Sequence, residues 1–282
     1  GVKVCEIHVP AKGTASSGAE IAVVTDTHIN VVDDNDMYDA EVQYTNQTRA
    51  WCRGGATVPG TEKAIKFASM YDQMVVTGDI IDSSAIQIEY RDFLLESMRV
   101  IVNELSVIEP LKIEFFRGDS FQMVIDIPEN ALKIAVLLRA GLKSRTPKDS
   151  KKPWDARLSL GVGTISYHAD NIVLSDGEAF QYSGRELDEM GKRRLIVKTR
   201  WSDVNEELQV STAFADEVIS SWSVSQSQAV YQALLYNISQ KDIAHKFQKS
   251  AQNISKLLNA AKMNLVQMYI NRYHNLISNL IR

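Results

Sequence analysis

The chain has two cysteines among its 282 residues, Cys5 and Cys52, and they are spaced like no zinc motif. They are either two buried thiols or one disulfide, and thiols suit the cytoplasmic setting that the rest of the sequence suggests. No apolar stretch approaches the length of a membrane span, and the N-terminus lacks a basic region followed by an apolar run, so no membrane partner is expected. A disorder signature is missing too: 45% of the residues are hydrophobic, enough for one large or two to three small domains with a real core.

Charge is unevenly distributed. Residues 1–70 carry 6 Lys/Arg and 9 Asp/Glu, residues 71–221 carry 18 and 25, and residues 222–282 carry 7 and 1. The nets of −3, −7 and +6 describe an acidic body with a basic C-terminal segment, the pattern of a polyanion-binding module attached to something else. A basic helical face with no partner gives the same count.

Two Gly-Asp dipeptides stand out, Gly78-Asp79 at the end of an apolar run from Gln73 and Gly118-Asp119 within Lys112 to Ile127. Each places a carboxylate where a hydrophobic strand meets a turn. Two such groups on neighbouring strands are what a pair of Mg²⁺ or Mn²⁺ ions on a triphosphate requires, although Gly-Asp also serves simply to end strands.

Between Gln73 and Arg200 strand-like and helix-like runs alternate. Met74 to Ile80 reads as a buried strand, and Tyr90, Phe93, Leu94, Met98, Ile101, Val102 and Leu105 recur at helical spacing. Lys112–Phe116 and Phe121–Ile127 read as a hairpin turning at residues 117–120, Pro128 opens a helix through Leu142, and Arg157–Tyr167 is a strand. A third helix from Gly177 to Met190 and a strand from Arg194 to Thr199 complete the run. The expected fold class is α+β: a ferredoxin-like βαββαβ palm with helices on one face, followed by an all-α helix-turn-helix domain and preceded by an N-terminal α/β extension. That topology sets Asp79 and Asp119 at one end of the sheet. The expected boundaries are an N-terminal segment 1–69, a palm 70–200, a connector 201–221 of mixed character with no site, and a helix-turn-helix domain 222–282, with an exposed loop at residues 144–155.

In the C-terminal segment Ser239-Gln-Lys-Asp242 has the form of a capping box, with Asp in place of Glu. It starts a short helix through Phe247. Gln248-Lys249-Ser250 makes a turn, Ser250 caps the next helix, and Ile254, Leu257, Leu258 and Ala261 give that helix a buried stripe, with Ala244 as the small residue at a close crossing. Gln248, Lys249, Gln252, Asn253, Lys256 and Asn259 then face outward. Amides suit base edges and lysines suit phosphates, so DNA is the expected partner, against a three-helix packing domain that binds none.

Several strings resemble the SatD family of bacterial proteins from about Met74 onward: Thr77-Gly-Asp-Ile-Ile-Asp-Ser-Ser84, Phe116-Arg-Gly-Asp-Ser-Phe-Gln122, Leu137-Leu-Arg-Ala-Gly-Leu142, Trp154-Asp-Ala-Arg157, Gly161-Val-Gly163 and the segment Ser175–Asp188. The same core resembles the palm of class III nucleotidyl cyclases. That likeness implies metal ligation by Asp79 and Asp119, and a phosphate-facing loop with nucleotide contacts at Ile80, Ser83, Ser84 and Gly118. It implies transition-state roles for Arg185 and for Gln181, which stands where an Asn is expected, while Phe115 stands at the base-selecting Lys position. An active site would perform two-metal phosphoryl transfer, with Arg185 neutralising the transferred phosphorus, so an active cyclase is the alternative to a DNA-binding regulator whose palm holds nucleotide and metal. Both kinds of protein act as pairs, which makes a homodimer an expectation as well.

Ile21-Ala-Val-Val-Thr-Asp-Thr-His28, together with Gly78-Asp79-Ile-Ile-Asp82, resembles the opening of calcineurin-like metallophosphoesterases. There Asp26 and His28 would hold one metal and Asp79 would bridge two, with Asp82 close by. The Gly-Asn-His of such enzymes is missing, and His168, His245 and His274 lie in no matching context, so a metal-dependent phosphoesterase is a third reading with an incomplete site. Both resemblances meet at Val75–Asp82. That overlap fits a fusion of a phosphoesterase N-terminus to a SatD-like body, in which residues 1–70 are protease-sensitive and dispensable; alternatively the segment adds to the palm.

Overall fold

The computed structural model describes residues 4–10, 18–24, 73–116, 119–167, 172 and 176–281. Two compact units divide the chain, residues 1–71 with 164–168 and residues 72–163 with 169–282. In the first unit β1 (Val4–Pro10) and β2 (Gly18–Val24) pair antiparallel, Val4 opposite Val24 and Pro10 opposite Gly18. Asp26, His28, Cys52 and Gly118 lie outside the described residues, as does the stretch 25–72 to which most of the protease-sensitivity expectation applies.

The second unit is α+β. Its central strand β3 (Gln73–Ile80) is followed by two short 3₁₀ turns and α1 (Arg91–Leu105), then β4 (Lys112–Phe116), β5 (Ser120–Ile125), α2 (Ala131–Ser144) and β6 (Ala156–Gly163). After these come α3 (Glu178–Glu189), β7 (Leu195–Thr199), α4 (Ser202–Ser220), α5 (Val224–Tyr236), α6 (Gln240–Phe247), α7 (Ala251–Ala260) and α8 (Met263–Leu280). The sheet order is β4-β5-β3-β6-β7, antiparallel throughout except for the parallel pair β6–β7.

Strand alternation gives the sheet two unlike faces. Met74, Val76 and Ile80 of β3, Phe121, Met123 and Ile125 of β5, Leu158, Leu160 and Val162 of β6 and Leu195 and Val197 of β7 all enter one hydrophobic core. The apolar sides of α1, α2, α4, α5, α7 and α8 enter the same core. The opposite face carries Thr77, Asp79, Gln122, Arg157, Ser159 and Gly161, and on it lies α3. A Cβ at Gly161 would come within 2.2 Å of the Ala179 carbonyl oxygen, so α3 rests directly on the β6 backbone there. Helices therefore cover both faces, where the sequence predicts one. The reason is that α3 buries only a narrow stripe of Ala179, Phe180 and Ser183, and Thr77 meets it through a 2.8 Å hydroxyl contact with Ser183.

Three further expectations change. The loop expected to be exposed over residues 144–155 ends in the buried Trp154 and Asp155, at 5% and 2% exposure, because Asp155 turns inward to the cations of α2. The stretch 201–221, read as a connector, is the 19-residue helix α4, whose buried side holds Val204, Leu208, Thr212, Ala215, Asp216 and Ile219. Its pattern reads as mixed because acidic residues surround that stripe. The helices after residue 221 also share the core of the sheet instead of having one of their own: the Tyr273 hydroxyl donates to the Pro128 carbonyl at 2.9 Å, and the Tyr231 hydroxyl to Glu104 at 2.6 Å.

A charged cluster lies buried where α2, α4, β6 and β7 meet. Arg139 and Lys143, one turn apart on α2, are 0% and 2% exposed, and Asp155 is 2% exposed. Arg139 Nε and Nη2 donate to the two Asp155 oxygens at 2.8 Å each, and Nη1 donates to Asp216 at 2.7 Å. Lys143 and Arg194 each reach Asp155 Oδ2 at 3.0 Å, and the Ala156 amide donates to Oδ1 at 2.9 Å. Burial by itself would raise the Asp155 pKa. The charges and hydrogen bonds of Arg139 and Lys143 outweigh it and hold the carboxyl at about 2.

Replacing Asp155 by Ala leaves Arg139 and Lys143 buried without their counter-charge, and the expected loss is about 3–5 kcal/mol in denaturant unfolding. The pH dependence follows from the same group. A carboxyl at about 2 in the fold and 3.8 when unperturbed gives stability that is complete above the higher value and disappears as pH falls through the lower one. An acid titration of the unfolding free energy should accordingly fall by on the order of 2 kcal/mol between about pH 4 and pH 2, and Asp155→Asn should flatten that part of the fall.

Candidate functional site

The end of the sheet where β3 leaves β5 gathers most of the residues singled out by the sequence. Asp79 is the penultimate residue of β3, paired with Ser120 on one side and Arg157 on the other, so it belongs to the strand and not to the turn beyond it. The glycine before it serves packing: a Cβ at Gly78 would stand 2.6 Å from the Phe121 ring and 2.7 Å from Leu158. The Ile80 amide donates to the Asp119 carbonyl at 3.0 Å, which places Asp119 beside the end of β3 as expected. Ser83 follows in a 3₁₀ turn and its hydroxyl donates to Asp119 Oδ2 at 2.5 Å. Asp82, in the left-handed conformation at φ 54°, pairs with the exposed Lys152 at 3.2 Å. Ile80 is buried and Ser84 is exposed.

Arg157 was not among the residues expected here, yet it dominates the local electrostatics. Its Nε donates to Asp79 Oδ1 at 2.9 Å and its Nη2 to Asp79 Oδ2, a two-pronged pair with the arginine side chain 35% exposed and the aspartate 21%. The hydrogen bond to Asp79 raises the arginine's pKa against a smaller opposing effect of burial, and the charges of Asp79 and Asp188 add to the rise. The signal for it lies in strand register, because Arg157 becomes the cross-strand neighbour of Asp79 only when β6 pairs with β3.

This geometry bears on the expected metal pair. Both Asp79 oxygens already accept from a guanidinium, so a divalent cation placed there would have to displace Arg157 or lie beside its positive charge. As arranged, the donor set does not fit two divalent ions. Among the described residues no group of three or more His, Cys, Asp or Glu side chains is placed to hold a metal.

Gln181 and Arg185 stand one turn apart on α3, and both are exposed on the side away from Ala179, Phe180 and Ser183. The structure does not bring them onto the sheet face beside Asp79. Asp188, near the end of α3, is the helix residue whose charge Arg157 senses.

The C-terminal helices follow the sequence closely. Ser239 and Asp242 form a reciprocal capping box on α6, Gln248 ends it at φ 53°, and the Ser250 hydroxyl accepts from the Asn253 amide at 3.1 Å to start α7. Ile254 and Leu258 of α7 are buried. Gln248, Lys249, Gln252, Asn253, Lys256 and Asn259 are all exposed, and α7 carries no Asp or Glu.

No family profile matches the sequence, and no curated protein matches it, so the SatD and phosphoesterase resemblances find no counterpart there. Among solved structures, the chain is similar to one described as the structure of a bacterial light-regulated adenylyl cyclase, at 11% identity and a TM-score of 0.38, covering 50% of this chain and 80% of that one. A likeness of that size carries no functional argument. No helix among the described residues is long and apolar enough to cross a membrane.

Removing the guanidinium should expose what it covers. Arg157→Gln is expected to raise Mn²⁺ affinity by about tenfold or more over the wild-type chain, read by electron paramagnetic resonance of free Mn²⁺. Tight Mn²⁺ binding by the wild type, unchanged by the substitution, would show that the pair opens readily and that the two carboxylates are metal ligands after all.

Proposed function

We propose that this chain is a DNA-binding regulatory protein that reads DNA through α6, the turn at Gln248-Lys249-Ser250 and α7, and that its palm holds a nucleotide without turning it over. The observation that carries the DNA reading is the outer face of α7 with the turn before it: four amides and two lysines, all exposed, on a helix without a carboxylate. Amide side chains match adenine edges, and Lys249 and Lys256 match phosphates. Two capped helix starts, Ser239 and Ser250, and the buried Ile243, Ala244, Ile254 and Leu258 hold the pair of helices against the body, so the face is presented on rigid elements.

The palm reading rests on the strand order β4-β5-β3-β6, which suits a ferredoxin-like βαββαβ core extended by α3 and β7, and on the convergence of Asp79, Asp119, Ser83 and Arg157 at one sheet end. Arg157 gives that end a cation able to meet a phosphate group. Its pairing with Asp79, and the outward position of Gln181 and Arg185, favour binding over phosphoryl transfer. Cyclase activity would require Arg157 to leave Asp79 and α3 to present its other side.

The test is fluorescence anisotropy of duplex DNA with the full chain at several salt concentrations. Binding is expected to weaken linearly in log[salt], and Lys249→Ala and Lys256→Ala should each weaken it on every sequence and lower the slope by about 1. Asn253→Ala should act unequally on different sequences. Absence of binding at low salt, or binding unaffected by both lysine substitutions, would overturn the proposal.

A further inference from the structure

Large apolar side chains are exposed along the seam between α4 and α8. Val210 and Phe214 on α4 are 60% and 73% exposed, and Leu265 and Met268 on α8 are 52% and 66% exposed. The two helices pack side by side: the Thr212 and Tyr269 hydroxyls meet at 2.5 Å, and Arg272 Nε donates to Glu207 Oε1 at 2.6 Å. Moving forward along α4 from Glu207 to Thr212 moves backward along α8 from Arg272 to Tyr269, so they run antiparallel. That register sets Val210 and Phe214 alongside Leu265 and Met268, all within about two turns of one another. Four large apolar side chains so placed form one continuous patch, not scattered surface residues.

The charges around the patch indicate what covers it. α4 carries the exposed Asp203, Glu206 and Glu217 and no Lys or Arg, and its Glu207 is held by Arg272 of α8; α8 carries no carboxylate, and its other titratable side chain of basic type at this surface is His274. One rim of the patch is therefore acidic, and the other is polar without a carboxylate, rich in Asn and Gln. A wholly basic partner would suit only the α4 side. A second copy related by a two-fold axis parallel to the helices lays α4 on α8 of the other copy, so each acidic rim meets a rim without carboxylates. An axis across the helices would instead set α4 against α4 and oppose like charges.

We infer that the chain forms a two-fold symmetric dimer through this patch, with α4 of each copy lying on α8 of the other and Phe214 directed at Met268 of the second copy. The inference is independent of DNA and of nucleotide.

Analytical ultracentrifugation of the full chain over a range of concentrations is expected to show a monomer–dimer equilibrium. Phe214→Glu with Met268→Glu should raise its dissociation constant by at least about thirtyfold while the thermal melt and circular dichroism stay unchanged. The geometry is read by cross-linking in a Cys5→Ser/Cys52→Ser background. A Phe214→Cys chain and a Met268→Cys chain carrying different tags should form a mixed disulfide on mild oxidation, and neither should cross-link to itself. A wild type that stays monomeric, a dimer indifferent to the two glutamates, or a Phe214→Cys chain that pairs with itself would each overturn the proposal.

Discussion

Asp155 is the point on which the second unit hangs. Its carboxylate accepts from Arg139, Lys143, Arg194 and its own neighbour's amide, and its backbone carbonyl accepts from the Ile81 amide at 3.0 Å. Through these bonds one residue ties α2, the start of β7, the start of β6 and the exit of β3 together. A buried ion cluster of this kind adds little to net stability relative to an apolar substitute, because desolvation cancels most of the attraction. It does penalise every arrangement that leaves one member unpaired. Arg139 and Lys143 can both be satisfied only when α4 brings Asp216 and the Ser220 carbonyl to them, at 2.7 Å and 3.3 Å. The cluster accordingly selects one docking of α4 on α2.

Asp155 also bears on the candidate site. The Ile81 bond to Asp155 fixes the chain as it leaves β3, and so the placement of Asp79 and of the turn carrying Asp82 and Ser83. The polar sheet face on that side has buried hydroxyls and an amide, of which Ser159 Oγ and Gln122 Oε1 have no protein partner. This face is covered by α3, whose backbone rests on Gly161 and Gly163. The apolar face carries the large hydrophobic core.

Sheet and C-terminal helices share one core, so whatever the palm end binds and whatever α7 contacts are joined by packed side chains and not by a flexible linker. Trp222, buried at 2% exposure, illustrates this: its ring nitrogen donates to the Ala261 carbonyl at 2.8 Å and links the start of α5 to the turn before α8. The exposed apolar side chains of α4 and α8 lie on helices whose buried sides enter the same core.

Local patterns carried much of this into the sequence. The apolar runs at Met74–Ile80 and Lys112–Phe116, the helical spacing from Tyr90 to Leu105 and the caps at Ser239 and Ser250 are decided by residues within a few positions of one another, so their elements were legible, as was the meeting of Asp79 and Asp119 once the hairpin was placed. The pairing of Arg157 with Asp79, the burial of Arg139 and Lys143, the role of α4 and the second helical face of the sheet were not. Each depends on residues far apart in sequence: register decides that Arg157 faces Asp79, and docking decides that a charged residue in an apolar helix finds Asp155 instead of solvent. An Arg in the run Leu137-Leu-Arg-Ala-Gly-Leu142 reads locally as a surface residue, and only the carboxylate delivered by a distant strand makes the interior its lower-energy place.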